Sequence, residues 1–284
     1  MITAEFLDQL SRFSLIVHKR VTSNYAGPRR SVTHGRGITF KDHRMYSPGD
    51  DFRSIDWKVF ARTDDLYIKN FEEDRNLIVH VIIDNSASMN FRSNKFTKFE
   101  YASMLGIGFA YLTLRENGKL QFATFADKMT VFSSRKGKSH IMAMLDYLNT
   151  LKQGKASDFS GCMLRYKKYI SSRSLIVIVS DFLYDLSQIE IPIYLFGGHN
   201  IKLVQVLDPM ELNMEGIEGD YNLQDLETDE SMRTYISRKM RNEYKRKLQE
   251  HNAKIKELCD KTGVDFYTIS TDKSIFDSFY EVLR

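Results

Sequence analysis

Three oxygen-bearing side chains stand together directly after an apolar run of the chain. The run from Leu77 to Ile83 has His80 as its single polar residue, and Asp84, Ser86 and Ser88 follow it. Its β-branched content predicts a strand covered on both faces, as the parallel strands of α/β proteins are. Such strands carry functional groups at their carboxyl ends, where the chain turns into a helix. Because Asp and Ser are also the commonest helix N-caps, this motif alone fits a capping role as well as a binding role.

Two later segments have the same character and favour the binding role. Ser157 lies in the loop 154–164 just before a predicted helix, and Ser180 and Asp181 end the apolar run 174–182. The carboxyl ends of neighbouring parallel strands share one edge of a sheet, so we expect these groups to converge. The candidate ligands are Asp84, Ser86, Ser88, Ser157 and Asp181.

Five oxygen ligands without His or Cys are typical of a site for a hard divalent cation. Mg²⁺ prefers octahedral oxygens and retains several waters, so hydroxyls, one or two carboxylates and water suit it, with Mn²⁺ or Ca²⁺ as alternatives. The site has two acidic residues and at least one replaceable water. A carboxylate from a protein partner could therefore complete the coordination.

The three segments together resemble the metal-ion-dependent adhesion site of von Willebrand factor A domains. In that resemblance, Asp84, Ser86 and Ser88 form the D-x-S-x-S motif, and Asp181 is the last acidic residue. Ser157 stands where the family usually has threonine, which keeps the hydroxyl. The resemblance implies an α/β domain that binds a protein through a divalent cation.

A second resemblance covers most of the chain, from about residue 24 to the end. The segment His34–Arg75 contains G-x-G-x-x-F, R-x-Y-x-x-G-D-D, R-x-I-D-W and A-R, which resemble the signature of the bacterial domain of unknown function 58. VLDPMELN at Val206–Asn213 and LQDLETDE from Leu223 fit the same family. Members are often encoded beside MoxR-type AAA+ ATPases. The resemblance implies an adaptor for such an ATPase or its client, in a chaperone-like or maturation role.

Strand-sized apolar runs and helical periodicities alternate along the rest of the chain. This pattern predicts an α/β fold with a doubly wound, mostly parallel, Rossmann-like sheet. We expect an N-terminal helix and a small β-rich lobe over 1–75, with Trp57 as the core anchor of that lobe. The α/β domain would span 76–284 and include one long basic helix over 231–261. The other expected elements are strands at 77–83, 119–125, 129–132, 174–182, 201–206 and 264–270, helices at 97–116, 138–151, 160–171 and 274–283, and a hairpin at 212–226.

The bulk composition is that of a globular protein with one large domain or a domain with an appendage. The chain has 284 residues, of which 42% are hydrophobic and 27% charged. Cys162 and Cys259 lie far apart in the sequence and show no disulfide spacing pattern, which predicts a reducing, cytoplasmic location. The longest apolar runs are too short to predict a membrane span. The net charge of +4 indicates acidic partners but falls short of a nucleic-acid signature.

Several polar residues have structural interpretations beside functional ones. The charges of segment 44–62 could form a docking surface, a second ion site, or Arg–Asp pairs that fix turns, and the need to pair buried charges favours the last. The basic helix 231–261 has ten Lys and Arg against four acids. We interpret it as a solvated face, with a strip for an acidic partner as the alternative. His80 is interpreted as a hydrogen-bonded core residue.

Three function classes fit the sequence: a metal-dependent protein-binding module, a Mg²⁺-dependent phosphatase of the haloacid dehalogenase type, and a nucleic-acid binder that uses the basic helix. The phosphatase would use Asp84 as nucleophile but needs a second Asp two residues later, where the chain has Ser86. The third class depends on charge alone. No Ser-His-Asp, Cys-His or P-loop arrangement can be assembled. The sequence therefore predicts a non-enzymatic binding module.

Overall fold

The computed structural model describes residues 5–11, 39–72, 78–132, 138–152, 154, 156–214, 217–224 and 231–283. The chain divides into two compact units, one of Met1–Asn24 with Leu77–Arg284 and the other of Tyr25–Asn76. Helix α1 (5–11) buries Phe6 and Leu10 in the core of the large unit. The structure therefore groups the N-terminal helix with the large unit, whereas the sequence analysis placed it with the small lobe.

The small unit contains two antiparallel strands and one α-helix in its described part, with a 3-10 turn at Phe52–Ser54. These are β1 (Thr39–Met45), α2 (Trp57–Thr63) and β2 (Tyr67–Glu72). Arg44 donates to both carboxylate oxygens of Asp50 at 2.7 Å, and Asp50 accepts from the backbone N–H of Ser47 at 2.9 Å. A bidentate pair across a turn supports the structural interpretation of this charged segment.

The prediction that Trp57 anchors the core of the small lobe is wrong. Its side chain is 57% exposed, and it makes an edge-to-face contact with Phe60 at 5.9 Å between ring centroids. Trp57 is the first residue of α2, directly after the N-cap Asp56, whose side chain is the buried one. Asp56 accepts from the N–H of Lys58 and pairs with His43 at 2.9 Å. At the start of the helix, the Asp56 side chain therefore points to the interior and the Trp57 side chain points to solvent.

The large unit is an α/β structure. Its strands are β3 (Ile78–Asp84), β4 (Lys119–Phe125), β5 (Met129–Phe132), β6 (Leu175–Ser180), β7 (Asn200–Leu207), β8 (Gly219–Gln224), β9 (Ser231–Ile236) and β10 (Asp265–Ser270). Its remaining helices are α3 (Lys98–Arg115), α4 (Lys138–Thr150), α5 (Phe159–Tyr166), α6 (Leu186–Leu195), α7 (Pro209–Asn213), α8 (Arg238–Thr262) and α9 (Ile275–Leu283). None of the described helices is long and apolar enough to cross a bilayer.

Six strands form one sheet in the order β10-β7-β6-β3-β4-β5. All neighbours are parallel except β4 and β5, which are antiparallel. The predicted fold class, a doubly wound and mostly parallel sheet, is confirmed by this strand order. Ile83 is aligned with Val179 and Ser180 with Gln205, so β3, β6 and β7 end at the same edge.

Helices cover both faces of the sheet, which explains why its central strands are apolar throughout. Val79, Val81 and Ile83 point to a core shared with α1, α3, α4 and α9. Ile82 points to the opposite core, which contains side chains from α5, α6 and α8. Side chains along β3 therefore point alternately into one core and the other. Every residue from Val79 to Asp84 is buried.

The prediction of one helix over 231–261 is wrong for its first residues. Ser231–Ile236 is strand β9, which pairs with β8 in a two-stranded ribbon, and the helix begins only after the N-cap Ser237. The segment R-T-Y-I contains β-branched and aromatic residues, which suits a strand. Met232 in this strand is 60% exposed.

Smaller differences affect three other elements. The expected hairpin at 212–226 is replaced by helix α7 followed by β8, whose partner is β9. The helix expected at 160–171 ends at Tyr166 and continues as a 3-10 turn over Lys167–Tyr169. Helix α6 has no counterpart among the predicted elements.

His80 is the hydrogen-bonded core residue that the sequence predicted. Its Nδ1 lies 2.8 Å from the hydroxyl of Tyr166, and the ring is buried. Burial lowers the pKa of His80 to about 4, and the charge of His199 adds to the effect. The imidazole is therefore neutral at neutral pH, in keeping with an interior position.

Helix α3 packs unusually close to strand β3 at Gly106. A Cβ at that position would lie 2.5 Å from Cδ1 of Ile83. We expect Gly106→Ala to lower the free energy of unfolding by about 1–3 kcal/mol in urea denaturation, since overpacked cores must shift. The matched test is Gly106→Ala combined with Ile83→Val, which removes the clashing atom. The double variant should regain part of the free energy of unfolding that Gly106→Ala loses. Free-energy changes of the two substitutions that simply add would contradict this packing.

The neutral core imidazole predicts a pH dependence of stability. Between the ordinary His pKa of 6.5 and the folded pKa of about 4, the unfolded chain binds a proton that the folded chain does not. Stability should therefore rise with pH across this window, by about 3 kcal/mol in total from this group. In urea denaturation from pH 4 to 7, His80→Gln should show a shallower rise than the parent. Parallel curves for the two proteins would refute the assignment.

Candidate functional site

Asp84 lies at the centre of the carboxyl edge and is fully buried. Its Oδ1 accepts from the backbone N–H of Ser86 at 2.8 Å. Its Oδ2 accepts from the hydroxyl of Ser180 at 2.6 Å and from the hydroxyl of Tyr184. Burial, with the charge of Asp181 as the second cause, raises the pKa of Asp84 to about 6. A nearby cation would lower that pKa again and favour the carboxylate.

The two serines after Asp84 connect it to the second acidic residue. The hydroxyls of Ser86 and Ser88 lie 3.0 Å apart. Ser88 donates to Oδ2 of Asp181 at 2.8 Å. The D-x-S-x-S motif and the aspartate after β6 thus belong to one hydrogen-bonded network, although they are about a hundred residues apart in the chain.

Ser157 joins the same network through Tyr184. Its hydroxyl lies 3.0 Å from the Tyr184 hydroxyl, which also donates to Asp84. Two backbone contacts hold the loop that carries Ser157 against the sheet edge: Gly154 N–H donates to the Asn85 carbonyl at 2.8 Å, and Asp158 N–H to the Ala126 carbonyl at 2.9 Å. The structure therefore brings all five sequence-predicted residues together, in what we term the rim cluster: Asp84, Ser86, Ser88, Ser157 and Asp181.

Tyr184 was not predicted, and an unusual backbone turn places it. Phe182 takes a φ of 49°, in the left-handed region that is rare for bulky residues. Its buried ring and a 2.8 Å hydrogen bond that its carbonyl accepts from Nε2 of His251 hold this turn. The tyrosine ring stacks on Phe159 with centroids 5.2 Å apart. Burial, followed by the charges of Asp84 and Asp181, raises the pKa of Tyr184 well above its usual range.

Lys98 is the second residue that the sequence analysis missed. Its Nζ lies 2.9 Å from Oδ2 of Asp181 and 2.7 Å from Oε1 of Glu211, and its side chain is 0% exposed. Burial alone would lower the pKa of Lys98, but Asp181 and Glu211 outweigh burial and the pKa is raised. The ammonium therefore stays charged. The one signal in the sequence is a lysine at the start of a mostly apolar helix.

Glu211 comes from the segment VLDPMELN that carried part of the family resemblance. Asp208 caps helix α7 in a capping box with Glu211. The Asp208 carboxylate also accepts from the N–H of Ser93 at 2.8 Å and from the Ser93 hydroxyl. This segment therefore fixes the loop between β3 and α3 and supplies a carboxylate to Lys98.

The donor groups of the rim cluster fit a hard cation in type. They are two carboxylates and three hydroxyls, and the ammonium of Lys98 pairs with one of these carboxylates, Asp181, and with Glu211. Within the described ranges, no group of three or more His, Cys, Asp or Glu side chains is placed to hold a metal ion, so a cation here would depend on the hydroxyls. Ligation of a metal by these residues stays a prediction.

Access to the cluster is through its hydroxyl side. Asp84, Ser86 and Asp181 are buried, whereas Ser88, Ser157 and Tyr184 are partly exposed. A partner group can therefore approach over the two serines without entering the core. The carboxylates lie beneath them.

Comparison with known proteins identifies the family. The family model described as "Protein of unknown function DUF58" matches residues 42–254, so the chain belongs to this family. Uncharacterized protein Rv1480 of Mycobacterium tuberculosis is 26% identical over 269 residues, which cover 93% of this chain and 84% of the relative. Uncharacterized protein YeaD of Bacillus subtilis is 24% identical over 137 residues, which cover 48% of this chain and 32% of that protein.

Solved structures with partial similarity include conserved hypothetical protein BatB from Bacteroides thetaiotaomicron. It has a TM-score of 0.44 and 11% identity, over 73% of this chain and 98% of BatB. The SpRpn10 VWA domain has a TM-score of 0.43 and 12% identity, over 72% of this chain and 94% of that domain. Both TM-scores are below 0.5, and it is the strand order of the sheet that defines the fold class.

The buried lysine makes a prediction about stability. We expect Lys98→Met to lower the free energy of unfolding by about 3–5 kcal/mol, because the buried Asp181 and the partly buried Glu211 would remain without a counter-charge. Lys128→Met is the matched control, since that side chain is exposed and should change stability by less than about 0.5 kcal/mol. The measurement is urea denaturation at pH 7. Equal free energies of unfolding for the two variants would show that the ion pairs of Lys98 do not stabilise the fold.

Proposed function

We propose that this member of the DUF58 family is a protein-binding module whose rim cluster holds a divalent cation, with Mg²⁺ preferred, and presents it to an Asp or Glu of a partner. The observation that carries the proposal is the convergence of five oxygen-bearing side chains from three distant segments at one sheet edge. Their hydroxyl side is partly exposed, so a partner can reach it.

Each residue has a separate task in this proposal. Asp84 and Asp181 supply the negative charge, and Ser86, Ser88 and Ser157 supply neutral oxygens that add no further charge. Ligation is direct or through water. A bound cation would offer a coordination position that a partner carboxylate can fill. Because one of the two carboxylates, that of Asp181, is already paired with Lys98, the cluster leaves charge on the cation for the partner to neutralise.

The proposed partner is a MoxR-type AAA+ ATPase or its client, in a chaperone-like or maturation role. Support for this partner is the family resemblance of His34–Arg75 and Val206–Asn213. The cation chemistry itself requires only a partner with an accessible carboxylate. Partner identity and binding mode are therefore separate parts of the proposal and can be tested separately.

Binding, and not catalysis, is the proposed activity. A phosphatase of the haloacid dehalogenase type would attack with an oxygen of Asp84, but Asp84 is fully buried and both its oxygens accept hydrogen bonds. Ser86 stands where that mechanism needs an acid. The basic helix α8 pairs several of its charges along its own surface, among them Arg246 with Glu250 and Lys261 with Glu257. This pairing supports the solvated-face interpretation over a nucleic-acid strip.

The test uses the full chain as bait in extracts of the source cell, with Mg²⁺ or with a chelator. Proteins retained only with Mg²⁺ should be lost with Asp84→Asn, which removes the charge and nearly keeps the shape. Ser88→Ala should weaken their retention. Ser187→Ala is the matched control for Ser88→Ala, because Ser187 is exposed on α6, and it should retain them as the parent does. Circular dichroism checks that each variant is folded.

Two results would count against the proposed function. Retention of the same proteins in the presence of chelator would show that the cation is not part of binding. Retention by folded Asp84→Asn at the parental level would show that the rim cluster is not the binding site. Release of phosphate from a generic phosphate ester by the parent, lost in Asp84→Asn, would instead favour the phosphatase.

A further inference from the structure

The hydroxyl of Tyr184 lies where the three segments of the rim cluster meet. It donates to Oδ2 of Asp84, lies 3.0 Å from the hydroxyl of Ser157 and 3.2 Å from the hydroxyl of Ser180. Asp84 and Ser157 both reach this one oxygen. A cation shared by Asp84 and Ser157 must occupy the same region, because both side chains point into it.

Tyr184 is held in this place by packing. Its ring is parallel to that of Phe159, with an interplanar angle of 10° and centroids 5.2 Å apart. The left-handed turn at Phe182 directs the chain back toward β3. The side chain is partly exposed, however, and it sits on a loop between β6 and α6. It can therefore leave the cluster toward solvent without unfolding the sheet.

A neutral phenol is a poor substitute for a carboxylate or water as a ligand of a hard cation. Its proton, donated to Asp84, also faces the oxygen that a cation would use. Oδ2 of Asp84 already accepts from two hydroxyls, those of Ser180 and Tyr184, so a cation that binds this oxygen must displace one of these donors. Ser180 is buried at the end of β6, whereas Tyr184 is partly exposed on a loop, so Tyr184 is the donor that can leave.

We propose that the Tyr184 hydroxyl is a built-in competitor that fills the cation position of the rim cluster and is displaced when the cation binds. This inference depends on the proposed function, since it concerns the same cation. The hydroxyl keeps Asp84 satisfied in the ion-free state, so the site can remain folded without metal. The hydrogen bond that must be broken lowers the affinity for the cation.

The experiment measures binding of Mn²⁺ to the full chain by the loss of the free-ion electron paramagnetic resonance signal. Tyr184→Phe removes the hydroxyl and keeps the ring on Phe159. We expect it to bind Mn²⁺ about tenfold or more tightly than the parent, which is the scale of one hydrogen bond to a charged group. Tyr194→Phe is the matched control, because Tyr194 is 62% exposed on α6, and it should bind as the parent does.

A second measurement on the parent does not depend on the folding of a variant. Addition of Mn²⁺ should change the near-ultraviolet difference spectrum of tyrosine, because the Tyr184 hydroxyl exchanges a buried carboxylate for solvent. The change should persist in Tyr194→Phe and be absent in Tyr184→Phe. Binding of Mn²⁺ to the parent without this spectral change overturns the inference.

The remaining outcomes separate this inference from the proposed function. Equal affinity in the parent and Tyr184→Phe, with binding lost in Asp84→Asn, leaves the cation site intact and overturns the competitor role. Weaker binding by Tyr184→Phe shows that the hydroxyl is a ligand, which also overturns it. Absence of Mn²⁺ binding in all of these proteins at millimolar ion overturns both the inference and the cation in the proposed function.

Discussion

The carboxyl edge of the sheet buries more negative than positive charge, and the ammonium of Lys98 makes this arrangement stable. Isolated carboxylates at these positions would be costly, because burial strongly disfavours the charged form. Lys98 lies within 3 Å of both Asp181 and Glu211, with no part of its side chain exposed. Asp84 receives hydrogen bonds from hydroxyl and N–H donors. The Asp181 carboxylate is therefore paired with a cation, whereas the Asp84 carboxylate is stabilised by hydrogen bonds.

The family segment VLDPMELN is connected to the rim cluster through Glu211. Helix α7 follows β7 and contacts none of the D-x-S-x-S residues in the described hydrogen bonds. Glu211 instead holds Lys98 at the start of α3, and Lys98 holds the aspartate to which Ser88 donates. The Asp208 carboxylate fixes Ser93 in the intervening loop. VLDPMELN is thus connected to the rim cluster through the Glu211–Lys98 ion pair and through the hydrogen bond of Asp208 to the Ser93 loop.

Sequence reasoning identified the rim cluster because topology alone brings its members together. A strand that is apolar on both faces must be central and parallel, and the residues after such strands share an edge. Tyr184 and Lys98 could not be found this way, since they depend on a left-handed turn at Phe182 and on the direction of one side chain. The exposed Trp57 was missed because a tryptophan was expected in the core, although it stands at a helix start. The strand Ser231–Ile236 was missed because the helix that follows it was extended back over its β-branched and aromatic residues.

The carboxylates of the rim cluster already accept hydrogen bonds from the chain's own donors, and any cation that enters must compete with these donors. Asp181 already shares one oxygen between Ser88 and Lys98, and Asp84 shares one between Ser180 and Tyr184. A cation that entered would have to displace some of these donors, so the proposed site would bind it more weakly than a cluster of free carboxylates would. In the proposed binding mode, a partner carboxylate would supply a further ligand and further negative charge. Cation and partner would then each increase the affinity of the site for the other.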